Sequence, residues 1–227
     1  MARPALVPAN TRRLAALATG LVLVAACVGG RARVAYQPGD ATGTAEPRRW
    51  SFDGEAPGRL PTGASVFTGA WAVRAAPDAP SPPNALCQTA TTEFPALALA
   101  DDVYADAVVS TRFKPISGRT DQAAGIIFRV QDRDNYYILR ANALENNVVF
   151  FKYAGGRRSQ MREASATVPS GRWQALRVEA VGSRLRGYLN DQLVVETTDD
   201  TYRAGKVGLW TKADSQTCFD DVEARAP

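Results

Sequence analysis

The chain has 227 residues, 27 basic and 23 acidic side chains, a formal net charge of +4, 45% hydrophobic residues and no histidine. Without imidazole there is no Ser-His-Asp or Cys-His catalytic unit and no ordinary histidine zinc site. The positive charge does not point to nucleic acid: residues 1–26 hold Arg3, Arg12 and Arg13 with no acid, and residues 27–49 hold Arg31, Arg33, Arg48 and Arg49 against Asp40 and Glu46, leaving the remainder close to neutral.

Along the chain, the three N-terminal arginines precede the apolar run Leu14–Ala26, which ends in Val24-Ala25-Ala26-Cys27. A bilayer span needs about 20 apolar residues, so the run is too short to be one. It resembles a bacterial lipoprotein signal in which Cys27 is lipidated and becomes the mature N-terminus. The alternative is an ordinary signal peptide cut nearby, with Cys27 incidental. Thr11-Arg12-Arg13-Leu14 has a faint twin-arginine character, and Val28 is not the aspartate that retains lipoproteins in an inner membrane. Residues 1–26 are therefore expected to be a signal peptide and residues 27–49 a lipidated cysteine followed by a Gly-, Ala- and Pro-rich tether. The expected setting is the bacterial cell envelope, facing the periplasm or the exterior, with the lipid membrane as a partner through Cys27.

Residues 50–227 are long enough for one domain with a substantial core. Strands are predicted at Ser51–Asp53, Ala70–Arg74, Ala85–Thr89, Asp106–Phe113, Gly125–Gln131, Tyr136–Ala143, Val148–Tyr153, Trp173–Val181, Leu185–Leu189, Leu193–Thr197, Lys206–Thr211 and Thr217–Ala224. Gly155-Gly156, Gly182-Ser183 and Asn190-Asp191 punctuate them as turns, and Ala76–Pro83 is a Pro-rich loop. Many short strands without helical period imply an antiparallel all-β sandwich, expected to act as a monomer.

The ribbon around the Asp132–Asn135 turn is the most informative stretch. With those four residues as the turn, Gln131 faces Tyr136, Arg129 faces Ile138 and Ile127 faces Arg140. One pleat face then collects Ile126, Phe128, Val130, Tyr137, Leu139 and Ala141. The other carries Arg129, Gln131, Tyr136, Arg140 and Asn142, too polar for a core and suited to water or a hydroxyl-rich ligand.

The segment IIFRVQDRDNYYILRANALENN (Ile126–Asn147), with GLWTKADS (Gly208–Ser215) and FDD (Phe219–Asp221), resembles the 3-keto-disaccharide hydrolase domain family. The resemblance covers roughly Trp50 to Ala224. It implies a concanavalin A-like jelly roll, distantly similar to family-16 glycosidases and laminin-G-like lectins. In that fold strands near the two termini lie side by side, so Cys87 and Cys218 are expected to be bridged; two separate buried thiols are the alternative. Such sandwiches sometimes hold calcium near the terminal strands, for which Asp53, Asp220 and Asp221 are the candidates, although no cofactor is required.

Glycoside hydrolysis of the family-16 kind needs same-face carboxylates on one strand. Glu163, Glu179 and Glu196 instead stand among non-acidic neighbours, and Asp220 and Asp221 alternate across the pleat. Retaining hydrolysis of that type is not expected. The resemblance implies elimination from a 3-keto sugar, for which Lys212 or Asp214 would be the base and Arg140 the enolate stabiliser. The competing expectation is lectin-like binding of a carbohydrate or glycoconjugate by Tyr136, Arg140, Asn142, Trp210 and Lys212, aromatic faces taking the C–H side of a ring and planar polar groups its hydroxyls. Trp210 has a second reading as a core plug. A non-catalytic envelope protein that binds a partner protein remains a third class.

Overall fold

The computed structural model describes residues 47–227; Cys27 and the signal and tether readings fall largely outside them. Fifteen strands follow in chain order: β1 (Arg48–Trp50), β2 (Ser65–Thr68), β3 (Trp71–Ala75), β4 (Asn84–Gln88), β5 (Ala96–Ala98), β6 (Ala107–Ser117), β7 (Ala123–Asp132) and β8 (Asn135–Asn142). They continue with β9 (Asn147–Ala154), β10 (Arg157–Ser165), β11 (Gln174–Val181), β12 (Arg184–Leu189), β13 (Gln192–Thr198), β14 (Lys206–Trp210) and β15 (Gln216–Arg225). No helix occurs among the described residues.

The strands form two antiparallel sheets packed as a jelly-roll sandwich. The eight-stranded sheet runs β13-β12-β11-β6-β15-β4-β3, with β1 added against β15, and the seven-stranded sheet runs β10-β9-β8-β7-β14-β5-β2. Between them lies a core that includes Trp71, Leu86, Val109, Phe113, Ile126, Phe128, Tyr137, Leu139, Phe150, Leu176, Val178, Leu209 and Phe219. Period-2 alternation puts these residues on the inner face of each strand, as in β11, where Leu176, Val178 and Ala180 point inward and Arg177 and Glu179 outward.

Four strands, β1, β2, β5 and β10, are not among those predicted. β5 is buried on both faces and shows no alternation, and β10 is a polar edge. The predicted strand at Ser51–Asp53 is instead a turn led by Phe52 at φ 66°, while β1 begins two residues before the expected domain boundary, at Arg48.

Cys87 and Cys218 sit directly opposite in the β4–β15 ladder, with Cα atoms 4.0 Å apart, and form a disulfide. The bridge lies on the outer side of the eight-stranded sheet, packed with Ala76, Ala79, Ala85 and Trp173.

The β7–β8 ribbon keeps the predicted pairing at its turn, Asp132 with Asn135. A bulge then shifts the register, so that Phe128 faces Tyr137, Ile127 faces Ile138 and Gly125 faces Arg140. Arg129 sits in that bulge at φ 49°. The irregularity reverses the expected placement of Val130, which joins the cluster on the outer side of the sheet, whereas the other five apolar residues face the core as expected.

Candidate functional site

The outer face of the seven-stranded sheet holds most of the residues singled out from the sequence. Three cross-strand rows build it. Trp210, Gly125, Arg140, Val149 and Glu163 form one; Gly208, Ile127, Ile138, Phe151 and Gln160 the next; Tyr136, Tyr153 and Arg158 the third. Gly125 leaves room for the indole of Trp210, since a Cβ there would lie 3.2 Å from the ring. Phe94, from the loop before β5, stacks on Trp210 with ring centres 5.8 Å apart, and Tyr136 stacks on Tyr153 at 4.9 Å. The guanidinium of Arg158 covers this aromatic floor, 4.5 Å from the centre of Phe94 and 4.4 Å from that of Phe151.

Beside the floor lies a chain of charges. Arg140 donates to Glu145 Oε2 at 2.8 Å and to Asn147 Oδ1 at 2.7 Å, and its Nε is buried without a partner. Lys212 pairs with the buried carboxylate of Asp121 at 2.9 Å and reaches toward Glu145 at 3.8 Å. Asn142 donates to the other oxygen of Asp121 at 2.7 Å. Burial alone would raise the pKa of Glu145, but the charge and hydrogen bond of Arg140, with Asn147 and Lys212, outweigh it and hold the carboxyl below its usual range. A half-exposed carboxylate and an ammonium thus stand at the rim of an aromatic surface.

This geometry corrects several expectations. Arg140 and Asn142, expected to project into an accessible hollow, are only 2% and 0% exposed, because Glu145, Asn147, Phe151 and Asp121 enclose them. Tyr136 and Trp210 are equally buried, beneath Tyr153 and Phe94, so the core-plug reading of Trp210 holds with the plug on the outer face. Burial pushes the Tyr136 hydroxyl well above its ordinary pKa. Only Lys212 of the five proposed contacts keeps appreciable side-chain exposure.

Arg129 leaves the ligand face altogether. The bulge turns it toward the carbonyls of Ala105 and Tyr202, to which it donates at 3.2 and 3.1 Å. Asp214 is not a free base: its carboxylate accepts the backbone N–H groups of Arg119, Thr120 and Asp121, which lower its pKa to about 2. The candidate calcium ligands are not brought together. Asp220 is buried and accepts from Ser81 N and Asp221 N, both at 2.8 Å, while Asp53 accepts from Asn84 N. No grouping of three Asp, Glu, Cys or His residues suited to a metal occurs among the described residues. Hollows over the eight-stranded sheet, one lined by Arg49, Trp50 and Asp221 and another by Arg112, Arg177 and Asp191, gather none of the residues predicted to contact sugar.

Sequence reasoning missed Phe94, Asp121, Glu145, Tyr153 and Arg158. Glu145 lay within the ALENN segment already singled out, and Arg158 follows the Gly155-Gly156 turn on the strand that pairs with β9. Phe94 and Asp121 come from irregular segments that no periodicity marks.

The sheets and this outer face define a concanavalin A-like β-sandwich whose polar and aromatic surface overlies one sheet. The chain belongs to the 3-keto-alpha-glucoside-1,2-lyase-like domain family, which matches residues 52–225. It is 32% identical over 103 residues to a levanase of Bacillus subtilis (strain 168), covering 44% of this chain and 15% of the levanase. The chain thus spans only a small part of that relative's length. Among solved structures, it resembles the carbohydrate binding module CBM66 from Bacillus subtilis with a TM-score of 0.62 and 23% identity, over 73% of this chain and 96% of that one. It also resembles a Bacillus subtilis protein of unknown function with a galectin-like fold, with a TM-score of 0.53 and 13% identity, over 71% and 88% of the two chains. At these identities the structural likenesses establish the fold.

Proposed function

We propose that the domain binds carbohydrate on the outer face of the seven-stranded sheet. The observation that carries this reading is the meeting, on one face, of half-exposed aromatic rings with a buried charge chain that ends at accessible groups. Phe94 and Tyr153 offer ring faces and edges to sugar C–H groups; Glu145, Lys212 and Arg158 offer an acceptor and donors to hydroxyls. Beneath them Arg140, Asp121 and Trp210 fix the positions of these contacts, so little ordering is left for the ligand to impose. The names of the relatives, a levanase and a carbohydrate binding module, support the same class of ligand.

Calorimetric titration of the purified chain with a panel of oligosaccharides, fructans and glucans included, tests the proposal. Glu145→Gln and Lys212→Met should each weaken binding about tenfold, the scale of one charge-assisted hydrogen bond. No binding by any member of the panel rejects it.

Family membership favours a second reading, elimination on a 3-keto glycoside. With Asp214 engaged by backbone amides, the base would be a carboxylate of the Asp121–Lys212–Glu145 chain. Release of sugar from a 3-keto-disaccharide, with and without divalent cation, and its loss in Glu145→Gln would support that chemistry. We also propose that Cys27 anchors the protein to the cell envelope; Cys27→Ala should then move it from the membrane to the soluble fraction.

A further inference from the structure

We propose that the carbohydrate taken by this face carries an acidic group, a uronate carboxylate or a sulfate ester, seated against Arg158. The inference rests on the carbohydrate reading above and specifies its ligand.

The charges at the centre of the face are matched by contact. Lys212 has Asp121, and Arg140 has Glu145. The carboxylate of Glu163 is occupied by Asn147 at 2.8 Å and Gln160 at 2.9 Å. The Arg158 side chain has neither a carboxylate within ion-pair distance nor a hydrogen bond among the described residues, and its Nη1 is enclosed without an acceptor. Its surroundings deepen the imbalance: burial and the neighbouring positive charge of Arg140 both disfavour its charged form, more than the distant carboxylates of Asp121, Glu145 and Glu93 restore.

Aromatic faces attract a cation but do not neutralise it or accept its N–H groups in plane. Phe94, Phe151 and Trp210, 5.7 Å away, instead hold the guanidinium plane in a set orientation. A planar, pre-oriented guanidinium with unfilled donors suits two oxygens of one anionic group, which lysine would serve only as a point charge. A neutral sugar would satisfy the donors singly and leave the charge unmatched.

The test is calorimetry of the purified chain with oligosaccharides in matched pairs, uronate-bearing or sulfated members against their neutral parents, at low and at near-physiological salt. The acidic member of a pair should bind about tenfold to a hundredfold tighter, with the preference shrinking as salt rises. Arg158→Gln should erase the preference by weakening the acidic member far more than the neutral parent, and Arg158→Lys should keep part of it. Neutral parents binding as tightly as acidic ones would overturn the inference and leave the carbohydrate reading intact. An acid preference that survives in Arg158→Gln would also overturn it. Absence of binding by every pair would refute both. If the variants do not fold, the paired comparison and its salt dependence in the wild type still decide.

Discussion

Replacing Cys87 and Cys218 together by alanine should cost this domain a large part of its stability. The bridge joins β4 to β15 across 131 residues of sequence, so it confines most of the unfolded chain. Chain-entropy reasoning for a loop of that length gives about 5 kcal/mol at 25 °C. That compares with a total of about 5–15 kcal/mol for an ordinary domain. The paired cysteines are buried against Trp173 and small residues, so the alanine variant loses little packing and reports mainly on the constraint. Urea unfolding followed by tryptophan fluorescence is the assay. A loss of about 3–5 kcal/mol is expected, with a steeper denaturant dependence because the freed unfolded chain exposes more surface. A loss below about 1 kcal/mol with unchanged slope would refute the view that this link restrains the unfolded chain.

Gly208→Ala should destabilise by about 1–3 kcal/mol, because the new Cβ would lie 2.0 Å from the Leu97 carbonyl oxygen in the middle of the β5–β14 ladder; thermal melts check it, and an unchanged midpoint counts against this packing. Asp214 has a folded pKa of about 2, below the ordinary 3.8, so its contribution to stability is present above pH 4 and lost as the pH falls toward 2. Asp214→Asn should therefore flatten the acid limb of the stability curve, and an unchanged limb would contradict the amide-bound carboxylate. Asp220 has the opposite sign: burial, only partly offset by the amides of Ser81 and Asp221, raises its folded pKa, so its contribution holds below pH 4 and fades as the pH rises through the folded value. Asp220→Asn should melt no lower than wild type at pH 7, and a drop of several degrees would refute that assignment.

The parts of the fold legible in the sequence were those where one face meets the core and the other water. β11 and β12 alternate cleanly, and their inner faces follow from period 2 alone. The outer face of the seven-stranded sheet broke that logic. Its polar members were read as solvent-facing because a row with Arg140 and Asn142 is too polar for a core, yet Phe94, Phe151 and Arg158 add a further layer from other strands and loops. Alternation in one ribbon carries no record of side chains contributed from elsewhere. The bulge at Arg129 was likewise invisible, since an arginine can adopt φ 49° only when contacts such as those with Ala105 and Tyr202 hold it there.

Buried arginines invite the question of what each is for, and the two in the central ribbon answer differently. Arg129 closes loop carbonyls over the end of β7 and sits near Asp106, so the fold itself accounts for it. Arg140 has no such structural debt: the strand pairing around it uses backbone groups alone, and Val149 beside it shows that an apolar residue fits the same row. Burying a guanidinium beside Glu145, with Asp121 and Lys212 next to it, is costly compared with an apolar side chain of similar volume. A fold under selection for stability alone has no reason to keep such a chain of charges on the one face that also gathers Trp210, Phe94 and Tyr153. On the carbohydrate reading proposed above, the arrangement serves a polar ligand that meets the accessible ends of the chain at Glu145 and Lys212, beside Arg158.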